Sequence, residues 1–501
     1  MNKKVLLIPL ALLVALMALA MAPLALADEP CDVRDNNTVG KLLECVTVEG
    51  VRAHQAALQA IADANDGIRT SGTPGFDASV DYVVNRMEAA GYVVTVQQFQ
   101  YQTFISLSPP ILEQVAPPPA GPIANSIMAY SGSGDVTAAV TALAAPPADA
   151  TPGCEAADFA GFPAGNIALI SRGACTFAIK ATNSFNAGAS GVVIYNNIPG
   201  TLNGTLGNNF TLDLPVTSVT QAIGQLLAAT PGLVLRLKTD TFRGIATTSN
   251  VIAESPEGDP NNVVMAGAHL DSVDAGPGIQ DNGSGSATIL EVAEQMAKVK
   301  PRNKVRFAWW GAEEAGLVGS TYYVNNLSQE ERDKIALYLN FDMIGSPNFV
   351  RFIYDGDGSA FGLVGPPGSD KIEALFESFF DAKGLAHDPT EFSGRSDYQA
   401  FINNGIPAGG LFTGAEGIKT ATQAATYGGT AGQAYDPCYH QACDTFDNIS
   451  LEVLDQNSDA VAFATLTYAM NTESINGVRG KGNFQPPPGN SEENRNDNVL
   501  K

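Results

Sequence analysis

The chain has 501 residues, of which 45% are hydrophobic and 16% are charged. This apolar content suffices for a large buried core, which excludes a disordered or fibrous protein. The 52 Asp and Glu residues outnumber the 28 Lys and Arg residues, and the formal net charge is −24. Such a chain repels phosphate backbones, so we expect no nucleic-acid partner.

The first 27 residues have the features of a secretory signal peptide. Lys3 and Lys4 precede an apolar stretch, and Ala25-Leu26-Ala27 fits the small-residue rule for cleavage. An uncleaved membrane anchor is the alternative, because the apolar stretch is long enough for one. We expect cleavage after Ala27, a secreted, extracellular protein, and no membrane association of the mature chain.

Six cysteines fall into three pairs that are close in sequence: Cys31 with Cys45, Cys154 with Cys175, and Cys438 with Cys443. Local disulfides are the default in an oxidising compartment, although six cysteines allow fifteen connectivities. A structural zinc site is the alternative, but no pair has the C-x2-C spacing that such a site uses.

Apolar periodicity and turn residues predict an α/β pattern with an interruption. The predicted elements are helices over 51–61 and 78–90, a strand over 92–101, strands over 263–268, 305–310 and 335–341, helices over 287–299 and 316–326, and a last helix over 451–470. Between the predicted strand over 92–101 and the predicted strand over 263–268, the chain is rich in Pro and Gly turns. The predicted organisation is a signal peptide (1–27), an N-terminal segment (28–50), a main domain (51–107 and 244–471), an inserted domain (108–243) and a polar, disordered tail (472–501).

Three predicted strands lead into residues that bind divalent metals: His269, the pair Glu313-Glu314, and Asp342. In open α/β sheets, ligands bind beyond the carboxyl ends of the strands, so we expect these side chains to converge. Asp281 lies in a glycine-rich loop whose backbone can bend toward the same crevice. A lone Asp at such a place is often only a helix cap, so the prediction depends on the joint occurrence.

His440 completes this set. It lies between Cys438 and Cys443, and a disulfide between them would close a small loop around the imidazole. Two imidazoles and three carboxylates are too many ligands for one tetrahedral zinc ion, but they are enough for two ions that share a bridging carboxylate. The residues therefore predict a two-metal hydrolase.

These segments resemble the secreted bimetallic zinc aminopeptidases, the family of bacterial aminopeptidase S and yeast-type aminopeptidase Y. The similarity covers 51–101 and 249–470, including the blocks 393–398 and 408–413. It implies an α/β three-layer sandwich, in which helices flank a central mixed, largely parallel β-sheet. Residues 154–219 resemble the protease-associated domain, a β-rich module, for which we expect a steric role at the crevice or a role as an attachment surface.

The resemblance also implies a role for each metal ligand. His269 and Asp342 would bind one zinc ion. Glu314 and His440 would bind a second ion, and Asp281 would bridge the two.

Four further residues are assigned by the same resemblance. Glu313 would be the general base. Asp271 would accept a hydrogen bond from the imidazole of the first histidine ligand. Tyr439 would donate a hydrogen bond to the developing oxyanion, and Arg395 would lie near the substrate.

A calcium site near the last helix is a further implication. Asp455 and Asp459 match two of its acidic ligands, but its N-terminal partners do not match around Cys45 and Val46. Ordinary surface charge of the helix is the alternative.

The overall prediction is a monomeric aminopeptidase that removes large apolar residues, such as Leu, from the N-termini of peptides or proteins, using a hydroxide activated by two zinc ions. A carboxypeptidase or a glutaminyl cyclase is an alternative, but a carboxypeptidase needs cations for the terminal carboxylate, and only Arg395 is an obvious candidate. A non-catalytic receptor is a second alternative, although such receptors lose the metal ligands that this chain retains.

Overall fold

The computed structural model describes residues 31, 33–200, 202 and 204–478. The predicted signal peptide and the tail beyond residue 478 lie outside the described residues. Within them, no helix combines the length and the apolar character that a membrane crossing requires.

The helices are α1 (Val39–Leu43), α2 (Val48–Asp63), α3 (Pro74–Ala89), α4 (Phe177–Asn186), α5 (Gln221–Ala228), α6 (Gly283–Gln295), α7 (Val318–Asn326), α8 (Gln329–Asp333), α9 (Ser369–Ala382), α10 (Tyr398–Ile402), α11 (Ala421–Tyr427), α12 (Leu451–Met470) and α13 (Glu473–Asn476). The five predicted helices are present as α2, α3, α6, α7 and α12, with bounds that differ by a few residues, and the other helices were not predicted. α2 begins before the predicted residue 51, because the Thr47 side chain caps it by accepting a hydrogen bond from Gly50 N.

The strands form one connected network. They are β1 (Val93–Ala116), β2 (Gly121–Pro122), β3 (Ser126–Ala129), β4 (Gly134–Ala142), β5 (Ile167–Ser171), β6 (Gly191–Tyr195), β7 (Gly204–Thr205), β8 (Val216–Val219), β9 (Val234–Glu254), β10 (Asp259–His269), β11 (Asn303–Trp310), β12 (Ile335–Phe341), β13 (Phe352–Tyr354), β14 (Asp388–Thr390) and β15 (Ala408–Phe412).

The main domain is a mixed sheet with helices on both faces. Its strand order is β14-β13-β15-β12-β10-β11-β9, and β15, β12, β10 and β11 are parallel. Val264, Ala266 and Ala268 of β10 pack into the larger core cluster with α2, α6 and α12. Val263 and Met265 face the opposite layer with α7 and α10. This confirms the predicted three-layer α/β sandwich.

A long antiparallel ribbon of β1 and β9 connects the main domain to the insertion, with paired residues from Val93 and Glu254 to Ala116 and Val234. The predicted boundaries at 107/108 and 243/244 therefore fall inside two continuous strands. The prolines after Ser108 do not end β1, because register shifts on both sides of that residue absorb them. Beyond the ribbon, β4, β5, β6 and β8 form the parallel part of the β-rich insertion, with α4 connecting β5 to β6.

The beginning of the predicted polar tail is folded. α13 lies within 472–478, the Thr472 side chain is buried, and Asn476 Nδ2 donates to Asn262 Oδ1 at 2.9 Å. The prediction of disorder from residue 472 is therefore wrong for this stretch, because its polar side chains hydrogen-bond to one another and to the main domain.

The disulfides join the cysteines that are close in sequence: Cys31 with Cys45, Cys154 with Cys175, and Cys438 with Cys443. The predicted local pairing is confirmed. The last of these bonds closes the loop that carries His440.

Candidate active site

Three parallel strands bring the first ligand candidates together. β12, β10 and β11 are neighbours, and they end at Phe341, His269 and Trp310. Because parallel strands end at the same edge of a sheet, Asp342 and the Glu313-Glu314 pair emerge beside His269.

Asp281 reaches this edge from the loop that precedes α6. The next residue, Asn282, caps the helix by accepting from Gly285 N at 2.9 Å, and its Nδ2 donates to the Phe341 carbonyl oxygen at 2.9 Å. A Cβ atom at position 285 would lie 2.1 Å from that carbonyl oxygen, so the close approach of α6 to β12 requires glycine. The start of α6 is thus fixed against the end of β12, with Asp281 between them.

The two carboxylate oxygens of Asp281 face two different histidines. His269 Nε2 lies 3.2 Å from Asp281 Oδ1 and 3.3 Å from Asp342 Oδ1. His440 Nε2 lies 3.2 Å from Asp281 Oδ2 and 3.1 Å from Glu314 Oε2. The structure thus brings the five predicted ligands into two groups of three that share Asp281.

The backbone around the site adopts unusual conformations. Ala312, Met343 and His440 have φ angles of 54°, 52° and 56°, in the left-handed region that non-glycine residues rarely occupy. Such conformations cluster at functional sites, where the surrounding structure maintains them.

The chemistry of this donor set fits divalent cations. Asp342 Oδ1 and Glu314 Oε1 are buried and have no hydrogen-bond partner. Burial alone would lower the pKa of His440, but the carboxylates of Glu314 and Asp281 raise it to about 11. The site therefore has an excess of buried negative charge, which bound cations would neutralise.

Glu313 lies beside the ligands without the same close contacts. Its Oε2 is 3.9 Å from His269 Nε2, farther than the ligand oxygens. Burial, despite the opposing effect of His269, raises the pKa of Glu313 well above its usual value. A carboxyl group in this environment is suited to accept and release a proton.

Asp271 makes different contacts from those expected. His269 Nδ1 lies 3.1 Å from the backbone oxygen of Asp271 and 3.6 Å from its carboxylate, which is too long for a hydrogen bond. The carboxylate instead accepts from the backbone N–H groups of Glu313 and Glu314, at 3.2 and 3.4 Å. It thus orients the turn that carries these two glutamates.

Tyr439 and Arg395 form one side of the cleft. The Tyr439 ring stacks on His440 with centroids 3.8 Å apart. Arg395 Nη2 donates to the Tyr439 hydroxyl at 3.1 Å, and Arg395 Nη1 pairs with Glu416 at 2.8 Å. Both predicted residues therefore lie in the site region.

The calcium candidates lie one turn apart on α12. Asp455 is exposed, whereas Asp459 forms an ion pair with Lys383 at 2.5 Å. An ammonium group thus already neutralises Asp459, and calcium at this position remains a prediction.

Sequence reasoning missed residues that hold the ligands in place. The guanidinium of Arg69 is fully buried and donates to the backbone oxygens of Leu270, Pro277 and Gly278. It thereby fixes the chain between His269 and Asp281. Its partners are backbone atoms, which leave no pattern in the sequence.

Two other supporting residues lie closer to the quoted motifs. Ser396 Oγ donates to Asp342 Oδ2 at 2.6 Å. Asp444 accepts from the backbone N–H groups of Gln280 and Asp281. Ser396 lies inside the block 393–398, and Asp444 directly follows Cys443, so their nearness in sequence to the quoted motifs is a signal that could have identified them.

A cavity of about 290 Å³ opens onto the ligand groups. Much of its wall is aromatic or apolar, formed by Met343, Phe352, Tyr354, Tyr398, Phe412 and Tyr435. Among the lining residues that the structure describes, Arg395 is the one lysine or arginine side chain.

The fold and the site define an α/β protein of the metallopeptidase class with an inserted domain. Residues 250–465 match the model of Peptidase family M28, and residues 136–227 match the PA domain. The chain is 51% identical over 450 residues to a Pseudomonas aeruginosa protein named Aminopeptidase, covering 87% of this chain and 83% of that protein. This chain belongs to Peptidase family M28.

Other relatives and solved structures agree with this result. Leucine aminopeptidase 2 of Arthroderma otae is 47% identical over 407 residues, covering 80% of each chain. An aminopeptidase from Aneurinibacillus sp. strain AM-1 is similar in structure, with a TM-score of 0.68 and 27% identity over 90% of this chain and 98% of that one. A zinc aminopeptidase from Bacillus subtilis has a TM-score of 0.62 and 26% identity over 84% and 94% of the two chains. The resemblance found in the sequence is confirmed.

Proposed function

We propose that this protein is a zinc-dependent aminopeptidase that removes N-terminal residues from peptides. The observation that carries the proposal is the pair of ligand groups that share Asp281, with Glu313 beside them. Relatives named Aminopeptidase and Leucine aminopeptidase 2 support the same activity.

The donor set supports two zinc ions in each chain. Imidazole nitrogen and carboxylate oxygen are common zinc ligands. His269 and Asp342 would hold one ion, Glu314 and His440 would hold the other, and Asp281 would contact both. When bound, the ions supply Lewis-acid polarisation of the scissile carbonyl and lower the pKa of a water molecule.

Proton transfer is the role we assign to Glu313. Its carboxylate takes a proton from the attacking water and passes it to the leaving amine. Because Asp271 holds the backbone of the Glu313-Glu314 turn, the base stays in position while the adjacent glutamate remains available as a ligand.

Tyr439 supplies a hydrogen bond to the developing oxyanion. Burial is the main cause that raises the pKa of Tyr439 well above its usual value, and the negative charges of Asp281 and Glu314 add to it. The hydroxyl therefore keeps its proton. Arg395 donates to the phenol oxygen, which leaves the Tyr439 O–H free to point at the substrate.

The cavity supports a preference for large apolar N-terminal residues. Its aromatic wall can bury a leucine-sized side chain, and each buried methylene group favours binding by about 0.8 kcal/mol. A carboxypeptidase needs a cation that binds the terminal carboxylate of the substrate. It is less compatible with this cavity, because the guanidinium of Arg395 is already paired with Glu416.

Secretion and the role of the insertion complete the proposal. The three disulfides support an oxidising compartment, in agreement with the signal peptide inferred from the sequence. We infer that the mature enzyme acts as a monomer and that the inserted domain limits which polypeptides reach the cleft.

Two adjacent substitutions provide the test. Glu313→Gln should lower the kcat for leucine p-nitroanilide by about 10²- to 10⁴-fold while the zinc content stays unchanged. Glu314→Gln should lower the zinc content, because it removes a ligand charge. Zinc is measured by mass spectrometry and compared with the wild-type enzyme.

A blocked substrate tests whether the enzyme requires a free N-terminal amine. An aminopeptidase should not cleave N-acetyl-leucine p-nitroanilide, because the free amine is part of what it binds. Full activity of Glu313→Gln, or equal cleavage of the acetylated substrate, would show that the proposal is wrong.

A further inference from the structure

A second acidic cluster lies outside the candidate ligand groups, between β13 and α9. The chain after β13 reads Asp355-Gly356-Asp357-Gly358-Ser359, and Glu373 lies on α9. One carboxylate oxygen from each of Asp355, Asp357 and Glu373 lies within 4.8 Å of the others. Three acidic side chains from two elements therefore converge on one point.

Backbone N–H groups already hold each carboxylate through one oxygen, and Asp357 Oδ1 accepts from Ser359 N at 2.7 Å. Asp355 Oδ2 accepts from Ala360 N and Phe361 N at 3.0 and 2.8 Å. Glu373 Oε2 accepts from Gly356 N and Asp357 N at 2.9 and 3.1 Å. These bonds fix the side chains and leave Asp355 Oδ1 and Glu373 Oε1 outside these contacts.

The second oxygen of Asp355 has no hydrogen-bond partner, although the residue is only 1% exposed. A buried carboxylate oxygen without a partner is costly, and native proteins rarely contain one unless an ion or water completes it. This oxygen is an observation separate from the clustering, and it points to a ligand.

Positive side chains do not neutralise the cluster. Among the described residues, no Lys, Arg or His nitrogen lies within 4.0 Å of the three carboxylates. Lys371, two residues before Glu373 on α9, pairs with Asp370 at 2.8 Å instead. The three carboxyl groups therefore lack a cationic partner from the described chain.

We propose that Asp355, Asp357 and Glu373 bind a calcium ion. Calcium takes six to eight oxygen ligands, including carboxylates, backbone carbonyls and waters, in flexible geometry. A donor set of three carboxylates without imidazole suits a hard cation better than zinc. Magnesium is a weaker candidate, because it requires near-ideal octahedral geometry and retains most of its waters.

The location gives such an ion a structural consequence for the cleft. Asp355 follows Tyr354, which lines the cavity, and Asp355 N donates to the backbone oxygen of Thr390 at 2.8 Å. Thr390 also lines the cavity. The ion fixes the segment that joins β13 to α9, and with it one wall of the cleft.

Calcium binding to the full-length mature, zinc-loaded enzyme tests the proposal. After dialysis into calcium-free buffer with zinc, calorimetric titration with CaCl₂ should show a site with a Kd of about 10⁻⁴ to 10⁻³ M. Calcium at about 10 mM should raise the Tm by about 1–3 °C. Neither readout uses peptidase activity, so the result is independent of the proposed function.

Matched variants locate the ion. Asp355→Asn and Asp357→Asn should each weaken calcium binding at least about tenfold and reduce the Tm increase to about half or less, because each removes a ligand charge. Without calcium, Asp357→Asn should melt close to the wild-type temperature, because the Asn oxygen can still accept from Ser359 N. The double variant Asp455→Asn/Asp459→Asn is the control and should bind calcium as the wild type does.

Several outcomes would overturn the proposal. The proposal is wrong if calcium does not raise the Tm of the wild type, or if magnesium raises it equally. It is also wrong if Asp357→Asn keeps the full calcium-dependent Tm increase, or if the double control variant loses it. If Asp355→Asn does not fold, Asp357→Asn decides, because Asp357 is exposed and its substitution leaves the core intact.

Discussion

The carboxylate of Asp444 accepts a hydrogen bond from the backbone N–H of Asp281 at 2.9 Å. Asp444 directly follows the disulfide loop that carries His440, whose Nε2 lies 3.2 Å from Asp281 Oδ2. The same short segment thus provides one candidate ligand and positions another. This relationship explains how two candidate ligands that lie far apart in sequence keep a fixed separation.

We predict that Asp444→Asn weakens zinc binding by about 10- to 100-fold, the usual effect of losing a group that orients a ligand. In the wild type, the two carboxylate oxygens of Asp444 accept from Gln280 N and Asp281 N. The Asn side chain of the variant has only one acceptor oxygen for these two donors. The measurement is zinc retention against increasing chelator. Asp447→Asn, an exposed change in the same segment, should retain zinc like the wild type, and equal retention in both variants would contradict the prediction.

We predict that Arg69→Lys destabilises the zinc-loaded protein by about 2–4 kcal/mol. Burial lowers the pKa of Arg69 to about 10, so it is charged at neutral pH. A lysine ammonium cannot reach all three backbone oxygens that the guanidinium contacts, and unpaired buried carbonyl groups are costly.

Urea denaturation measures this effect, with Arg86→Lys as the control. Arg86 is 47% exposed and pairs with Glu294 at the surface, so its substitution should change the free energy of unfolding by less than about 1 kcal/mol. Similar losses in the two variants would show that the buried contacts of Arg69 have no special role.

The strand ends of the site could be predicted from the sequence for a local reason. β10 and β12 end in buried, mostly apolar runs; β10 closes with His269 and Asp342 directly follows β12, so the positions of these two residues follow from the strand pattern. Asp281 and His440 depend on loops; the glycines around Asp281 and the two cysteines beside His440 made them candidate ligands. The pattern therefore predicted the candidate set, while the resemblance assigned each residue to an ion.

Other features depend on tertiary contacts that no local pattern records. The partners of Arg69 are backbone oxygens more than 200 positions away. β1 continues past its prolines because β9 pairs with it along its whole length. The unpaired oxygen of Asp355 becomes visible only when the surroundings of its side chain are known.

We predict that Tyr439→Phe lowers kcat by about 10²-fold or more while zinc content and KM change little. The hydroxyl would stabilise charge that develops only in the transition state, and the loss of one such donor typically has this size. Tyr435→Phe is the matched control, because Tyr435 lines the same cavity but donates to Gln423 at 2.8 Å. A rise in KM with unchanged kcat in Tyr439→Phe would assign the hydroxyl to substrate binding instead.

Asp436 should make the stability of the protein depend on pH. Its Oδ1 accepts from Cys438 N and Asn448 Nδ2 at 2.8 and 3.0 Å, while its buried Oδ2 has no partner. Burial raises the pKa of Asp436 to about 6. Between pH 4 and pH 6 the folded state therefore holds a proton that the unfolded state has released, so stability from this group falls as the pH rises through that window.

We predict that Asp436→Asn removes this contribution, because an amide does not titrate. The unfolding free energy of the wild type minus that of the variant should decrease by about 2–3 kcal/mol between pH 4 and pH 7. Chemical denaturation at a series of pH values measures the difference, and changes in zinc binding cancel because both proteins keep the same ligands. A difference that stays constant or increases with pH would mean that Asp436 is ionised throughout, with water or a neighbouring donor bound to Oδ2.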